Sequence, residues 1–315
     1  MTEAAARGRL TPGESVTVEV PATCANLGPG FDCFGLALDW RERVRLEVLE
    51  SGYQLEISGE GADLVPRDET HLILRAALVG LADLRVSAPG LRLVAHNVLP
   101  HGRGLGSSSA AIVAGLLAAQ RLAGLEQDQS WLLRHADAIE GHPDNVAAAI
   151  YGGFVLAYDG PRGVTVASPA MPPGLGLVLF IPETPVATAA TRNLLPEQVP
   201  HPDAAANAGR AALLVHAIST GDYGRLLDAT RDWLHQDYRQ RAMPASYDLL
   251  TSLRGQGYAA VVSGAGPSVL VLGEAAALQG LHEHRVRGFR TLVATPGAGA
   301  MAVGSQLAES SCERK

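Results

Sequence analysis

The chain has almost no lysine. Its one lysine is Lys315, so the other 24 of its 25 basic residues are arginine. Chemistry that needs an internal lysine is therefore excluded, which removes Schiff-base aldolases, pyridoxal-phosphate enzymes, Walker-A NTPases and protein kinases. If the protein handles phosphate, the groups that bind it are backbone amides, helix ends, a metal ion and arginines.

Three other scarcities narrow the class of protein. The 315 residues include only three cysteines, too few for a disulfide framework, and no CxxC pair indicates zinc. The net charge of −7 argues against nucleic acid, whose phosphates need a basic face. The N-terminus lacks the apolar core of a signal peptide, and no apolar run approaches the roughly 18 residues of a membrane span. We therefore expect a cytoplasmic protein with neither a nucleic-acid nor a membrane partner.

Length and patterning predict two domains. The chain suits two units of about 150 residues each, and prolines between Pro169 and Pro185 mark the seam. We place an N-terminal domain at 13–170 and a C-terminal domain at 171–315. Strands and helices alternate without a uniform βαβ rhythm, which favours α+β domains. Late in the chain, helices are predicted at Asp203–Ser219, Tyr223–Leu234, Ala245–Leu253 and Ala275–His282, and the final strand at Thr291–Ala294.

The most informative segment is a glycine- and serine-rich loop that an apolar helix follows at once. It consists of Pro100, His101, Gly102, Arg103, Gly104, Leu105, Gly106, Ser107, Ser108, Ser109 and Ala110. Glycines let the backbone approach a ligand, and the free N–H groups at the helix start attract an anion. A turn with serine caps is the simpler interpretation. The length of the run, the adjacent serines and the helix behind them favour an anion site.

A second segment, residues 140–145, reads Glu-Gly-His-Pro-Asp-Asn. Glu140 falls at the inward-facing end of a predicted helix, where its carboxylate is either solvated or a ligand for a hard cation such as Mg²⁺. Pro143 suits the first position of the next helix. Taken alone, each of these residues is better explained by structure than by function.

Two further loops are rich in glycine and proline. Residues 263–268, Ser-Gly-Ala-Gly-Pro-Ser, separate two apolar strands, where a hairpin turn is the simplest interpretation. Residues 21–32 hold one amide, Asn26, and one carboxylate, Asp32. Asp32 has an alternative role, because an aspartate commonly ties the backbone of its own turn.

Taken in the order in which they follow along the chain, these four segments resemble motifs of the GHMP small-molecule kinases. Residues 21–32 (PATCANLGPGFD) are most similar to the homoserine kinases of that family, and residues 188–196 (TAATRNLLP) and 235–239 (HQDYR) agree. The resemblance spans about residues 15–295. Two segments depart from the family pattern: Cys24 stands where Ser is common, and HQDYR at residues 235–239 stands where HEPYR is frequent.

The resemblance implies an α+β fold, with an N-terminal domain like domain 2 of ribosomal protein S5 and a ferredoxin-like C-terminal domain. It implies Mg²⁺-dependent transfer of phosphate from ATP to the hydroxyl of L-homoserine, giving O-phospho-L-homoserine for threonine biosynthesis. By position, residues 100–110 bind ATP, Ser108 and Glu140 serve Mg²⁺, and the catalytic residues Asp144 and Asn145 lie beside the transferred group. The implied substrate pocket comprises Asn26, Asp32, His142, Thr188, Arg192, Arg239 and Gly264.

The side chains suit this substrate. Arginine forks bind a carboxylate bidentately, and Asp32 suits the ammonium group. No lysine is available to assist the hydroxyl, so direct proton transfer to phosphate ranks above Asp144 acting as the base. Two alternatives stay open: a kinase of the same fold acting on mevalonate, phosphomevalonate or threonine, and a non-catalytic sensor of ATP and a ligand. The presence of both Ser108 and Glu140 argues against the non-catalytic sensor. The sequence leaves open whether the protein is a homodimer.

Overall fold

The computed structural model describes residues 8–161 and 163–307, but not the side chains of residues 188 and 189. Cys312 and Lys315 lie outside these ranges. In chain order, the strands are β1 Ser15–Ala25, β2 Phe34–Val48, β3 Gly52–Gly59, β4 Gly90–Asn97, β5 Phe154–Gly160, β6 Gly163–Ala167, β7 Leu175–Pro182, β8 Ala259–Val262, β9 Val269–Glu274, β10 Phe289–Ala294 and β11 Met301–Gln306. The helices are α1 Leu72–Asp83, α2 Ser107–Leu122, α3 Gln129–Glu140, α4 Pro143–Tyr151, α5 Thr188–Arg192, α6 His201–Thr220, α7 Leu226–Ala229, α8 Gln236–Arg239 and α9 Pro244–Gly255.

The larger sheet holds the strands of the first half of the chain. Its order is β11-β1-β2-β4-β3, with β5 pairing with a further stretch of β2 and β6 pairing with β5. The strand β1 forms because Val16, Val18 and Val20 alternate with polar residues, and all three valines are buried. Helices α2 and α4 pack against β1, with α1 against α2. Their start points therefore lie at the end of a rigid sheet.

The smaller sheet is antiparallel, in the order β10-β7-β9-β8. Strand β7 is buried along nearly its whole length, as expected for its continuous apolar run. The long helical excursion from α5 to α9 joins β7 to β8. Strands β8 and β9 then follow each other directly, and the chain crosses over to β10. This completes the strand pattern expected of the ferredoxin-like domain.

Two helices predicted near the end of the chain are wrong. The helix predicted over Tyr223–Leu234 ends at Ala229, since the side chain of Asp232 accepts the N–H groups of Leu234, His235 and Gln236 and starts α8 instead. The helix predicted over Ala275–His282 is a set of turns followed by a short 3₁₀ turn at Leu281–Glu283. There, Gly280 adopts a left-handed φ of 83°, which interrupts any α-helix.

The sheets also bear on the proposed division of the chain at residue 170. The chain passes from the larger sheet to the smaller one between β6 and β7, close to that position. However, β11, which the prediction missed and the division assigns to the C-terminal domain, pairs antiparallel with β1 of the larger sheet. Residues 301–306 therefore belong structurally with the first half. Within the described ranges, none of the helices is long and apolar enough to cross a membrane.

Candidate active site

The segments singled out from the sequence meet in one cleft. It encloses about 130 Å³ and is lined by residues from both halves of the chain. The predicted residues that it brings together are Asn26, Asp32, Gly102, Gly104, Leu105, Gly106, Ser107, Ser108, Ser109, Glu140, His142, Asp144, Asn145, Arg192, Arg239 and Gly264. Arg103 belongs to the predicted ATP loop but does not line this cleft. Its guanidinium donates hydrogen bonds to the carbonyl oxygens of His101, Pro182 and Glu183. The side chain of Thr188 lies outside the described structure.

The glycine–serine loop is held from both sides. The N–H of Thr23 donates to the carbonyl of Leu105 (3.1 Å), and the hydroxyl of Ser263 donates to the carbonyl of Gly104 (2.6 Å). A Cβ on Gly104 would stand 2.2 Å from the carbonyl oxygen of Ser263, so only glycine fits there. The second glycine loop, residues 263–268, thus acts as a brace for the first and not only as a hairpin turn. The brace fixes the N-terminus of α2, where an anion would bind.

A serine–carboxylate pair faces that helix start. Glu140, the last residue of α3, accepts hydrogen bonds from the hydroxyls of Ser108 (2.5 Å) and Ser109 (2.9 Å). The described residues contain no cluster of three or more His, Cys, Asp or Glu suited to a metal. Mg²⁺ needs no such cluster, since it commonly takes one or two protein oxygens, with water and phosphate completing its shell. The donor set at Glu140 and Ser108 therefore fits Mg²⁺.

A hydrogen-bonded chain starts α4. The Oδ1 atom of Asp144 accepts from the backbone N–H of Asn145 (2.7 Å) and lies 3.1 Å from Nδ1 of His142. That bond to Asp144 raises the pKa of His142. In turn, Oδ1 of Asn145 accepts from the hydroxyl of Thr23 (2.7 Å). Sequence reasoning missed Thr23, although it lies within the motif that contains Asn26.

Two residues predicted to bind opposite ends of a substrate pair with each other. The Arg192 guanidinium reaches both carboxylate oxygens of Asp32, at 3.0 and 2.6 Å, and this pairing raises the pKa of Arg192. The N–H of Asp32 donates to Oδ1 of Asn26 (2.9 Å), while Nδ2 of Asn26 donates to the carbonyl of Gly264 (2.8 Å). The cleft thus presents a preassembled pair of opposite charges.

A second guanidinium is buried nearby. Arg239 is 1% exposed, and its Nη1 donates to the Gly264 carbonyl and to Nδ1 of His235, both at 3.0 Å. Burial, and then the neighbouring Arg192, lower the pKa of Arg239 to about 10. The ring of Phe31 lies 5.5 Å from the Arg192 guanidinium and 5.6 Å from that of Arg239, within cation–π range. His235 and Phe31 were missed, since neither stands out from the sequence alone.

The chain that forms this cleft is similar to known proteins of one family. The family model described as "GHMP kinases N terminal domain" matches residues 71–153. Homoserine kinase from Streptomyces coelicolor is 50% identical over 264 residues, which cover 83% of this chain and 85% of that protein. Homoserine kinase from Cutibacterium acnes is 47% identical over 280 residues, covering 87% and 94%.

The chain belongs to the homoserine kinase family.

Solved structures agree with this family. The crystal structure of homoserine kinase from Cytophaga hutchinsonii has a TM-score of 0.80 and 28% identity, covering 92% of this chain and 97% of that one. Mevalonate kinase from L. major has a TM-score of 0.66 at 17% identity, which shows a shared fold alone. The predicted fold class is confirmed, and the mevalonate-type alternative is not favoured.

A larger cavity adjoins the cleft of this homoserine kinase family member. It encloses about 360 Å³ and shares Gly102, Ser107 and Ser108 with the cleft. Its walls include the apolar side chains of Val44, Val65, Leu72 and Ile73, and it opens onto Ser107 and Ser108 at the start of α2. An apolar cavity beside an anion site is the arrangement that a nucleotide needs, because the base is apolar and the phosphates are not.

Proposed function

We propose that this protein transfers the γ-phosphate of ATP to the side-chain hydroxyl of L-homoserine, giving ADP and O-phospho-L-homoserine. One observation carries the proposal: the cleft joins an anion-binding helix start to a cluster of charges suited to an amino acid. The phosphate side is the start of α2, and the amino-acid side is formed by Asp32, Arg192 and Arg239. Asp144 and Asn145 line the same cleft.

The nucleotide occupies the cleft and the adjoining cavity. Its base enters the apolar cavity, and its phosphates reach the N–H groups at the start of α2. Ser108 and Glu140 are the residues that hold Mg²⁺, and the loop of residues 100–110 covers the phosphates. The ion, when bound, neutralises phosphate charge, which is most of what phosphoryl transfer requires.

L-Homoserine binds beside Asp144 through its two charged groups. Its carboxylate is held by Arg192 and Arg239, and its ammonium by Asp32. The ion pair between Asp32 and Arg192 opens to admit the substrate, because each partner exchanges one opposite charge for another. This exchange keeps the cost of breaking the pair low. Asn26, His142, Thr188 and Gly264 complete the pocket.

Catalysis rests on positioning. The Thr23 hydroxyl holds the Asn145 amide at a fixed rotamer, and Asp144 holds the backbone at the start of α4. No lysine lies in the described chain, so none assists the substrate hydroxyl. We propose that its proton passes directly to the transferred phosphate and that Asp144 orients groups without acting as the base.

We place this reaction in threonine biosynthesis and in the cytoplasm. Of the cysteines that the structure describes, Cys24 and Cys33 are free, which suits a reducing compartment. Burial raises the pKa of Cys24 to about 12, so this thiol is unreactive and serves packing.

A coupled assay of ADP release tests the function. Purified protein with ATP and Mg²⁺ is given L-homoserine, L-threonine or mevalonate, with a blank lacking any acceptor and a parallel set containing a chelator. We expect homoserine-dependent ADP release that the chelator abolishes. If no acceptor releases ADP while homoserine and ATP still raise the melting temperature, the protein is a sensor and not a kinase.

A further inference from the structure

The fully buried imidazole of His235 is bonded at both of its nitrogens. Its Nε2 lies 2.9 Å from the carbonyl oxygen of Gly28, and its Nδ1 lies 3.0 Å from Nη1 of Arg239. A carbonyl oxygen only accepts hydrogen bonds, and a guanidinium only donates them. The partners therefore assign a neutral imidazole with its proton on Nε2 and an accepting lone pair on Nδ1.

The surroundings keep the imidazole neutral. Burial lowers the pKa of His235 and outweighs the Asp232 carboxylate, which raises it, and the positive charge of Arg239 acts in the same direction as burial. The nearest carboxylate, Asp232, lies 3.7 Å from Nε2, and its oxygens already accept N–H groups at the start of α8. A proton on Nδ1 would point at the guanidinium and break the contact.

The contact matters because Arg239 has few other restraints. Its two described side-chain hydrogen bonds both leave from Nη1, one to His235 and one to the carbonyl of Gly264. Its Nε is buried without a partner. Besides the cation–π contact with the ring of Phe31, the position of the guanidinium thus depends on two neutral acceptors, of which His235 is the side chain.

We propose that His235 is a positioning residue for recognition of the substrate carboxylate. Its Nδ1 anchors one corner of the Arg239 guanidinium, and Arg239 lines the cleft in which the carboxylate binds. The Nε2–H bond to Gly28 fixes the ring and ties it to the loop that carries Asp32. This inference rests on the proposed function, in which Arg239 binds the carboxylate of L-homoserine.

Two amide variants separate the two nitrogens. In His235→Asn the side-chain oxygen can take the place of Nδ1 and accept from Arg239, but nothing reaches Gly28. In His235→Gln the amide nitrogen can take the place of Nε2 and donate to Gly28, but nothing accepts from Arg239. The substrates are L-homoserine and 3-aminopropan-1-ol, which is homoserine without its carboxylate. Comparing them isolates the group that Arg239 binds.

We expect the two variants to differ in substrate discrimination. His235→Gln should raise the homoserine KM by about 10- to 100-fold, the effect of one hydrogen bond to a charged group. Its KM for ATP and its kcat/KM for 3-aminopropan-1-ol should stay within about threefold of wild type, the range of a substitution with no specific effect. His235→Asn should recover most of the homoserine affinity even where its melting temperature is lower.

Several results would overturn the inference. Equal losses in both variants and for both substrates, following the melting temperatures, would make His235 a purely structural residue. A wild-type protein that does not prefer homoserine to 3-aminopropan-1-ol would show that Arg239 does not bind the carboxylate, with the kinase activity intact. A wild-type protein that phosphorylates neither alcohol would refute the proposed function itself.

One measurement needs no variant and therefore no assumption about folding. Nitrogen-15 NMR of histidine-labelled wild-type protein reports the tautomer of His235 directly. We expect an Nε2–H tautomer whose Nδ1 signal shifts on adding homoserine and not on adding 3-aminopropan-1-ol. An Nδ1–H tautomer or an imidazolium would rule out the assigned contact with Arg239.

Discussion

Gly106, immediately before α2, is the point at which a single methyl group should disturb the hydrogen bond between Thr23 and Asn145. Its φ is 67°, in the left-handed region. A Cβ at this position would stand 1.9 Å from the hydroxyl oxygen of Thr23 and 3.2 Å from Oδ1 of Asn145. These are the two atoms of the 2.7 Å hydrogen bond that orients Asn145. The Gly106→Ala substitution therefore acts directly on that bond.

The expected cost has two parts. A non-glycine residue in the left-handed region costs about 1–2 kcal/mol. Moving the Thr23 hydroxyl away leaves a buried polar group unsatisfied, which costs about 1–3 kcal/mol more. We therefore expect Gly106→Ala to lower the free energy of unfolding by about 2–5 kcal/mol. Turnover should fall by about tenfold or more, because each 1.4 kcal/mol lost at the transition state is a factor of ten.

A matched control separates backbone strain from collision. Gly52, the first residue of β3, has a similar φ of 72°, and a Cβ added there would have no other atom within 4 Å. Gly52→Ala should cost only the backbone term of about 1–2 kcal/mol and leave turnover unchanged. A double-mutant cycle with Thr23→Ala then measures the collision itself, because that change removes the oxygen that the new methyl group would meet.

Urea denaturation gives the stabilities, and ADP release at saturating ATP and homoserine gives the turnover. We expect Gly106→Ala to cost less in the Thr23→Ala background than in the wild type. The proposed collision is refuted if Gly106→Ala matches Gly52→Ala in both stability and turnover, or if the two substitutions in the cycle are additive.

Other substitutions test the assigned charges. Asp32→Asn should lower homoserine kcat/KM by about 30-fold or more, since a buried ammonium loses its partner. The melting temperature should stay almost unchanged, because the pair with Arg192 is one-third exposed. A large fall in melting temperature would instead assign Asp32 a structural role in its loop. Arg192→Lys should raise the homoserine KM and spare that for ATP, since a point charge cannot replace a bidentate fork, whereas a raised ATP KM would move Arg192 to the nucleotide side. Glu140→Gln should lower turnover far more than ATP binding, and normal turnover at saturating Mg²⁺ would make Glu140 a mere helix end. The raised pKa of His142 means that the folded state binds the proton of this side chain more tightly than the unfolded state does. The resulting stabilisation is complete below the ordinary histidine pKa of 6.5 and is lost as the pH rises through the folded-state pKa. A pH titration of the unfolding free energy should show this loss in wild type and not in His142→Gln.

The loops of the candidate site can be predicted from the sequence because their chemistry is local. A glycine–serine run before a helix predicts an anion site wherever it lies in the fold. The sequence did not predict that Asp32 and Arg192 pair, since they are far apart in the chain and each was assigned to a different end of the substrate. Thr23 and His235 were missed for a related reason. Their roles depend on Asn145 and Arg239, and only the folded chain brings each pair into contact.

The strands likewise differ in how well the sequence alone indicates them. Buried strands such as β1 and β7 carry their own apolar pattern, so the sequence indicates them. The strand β11 lies almost wholly exposed, and its sequence MAVGSQ shows no alternation of apolar and polar residues. Its position depends on β1, with which it pairs. The short α7 likewise stops where it does because the Asp232 carboxylate captures the N–H groups that follow.

The pairing of β1 with β11 sets a condition on how the protein is made. A ribosome releases β1 near the beginning of synthesis and residues 301–306 near the end of the described chain. Until then, one edge of β1 stays unpaired, with the hydrogen-bonding groups that invite pairing with another chain. The first half therefore cannot finish folding in order of emergence, as independent domains generally do. Slow translation of the second half should prolong this exposure, and a chaperone that shields strand edges would help the nascent chain most.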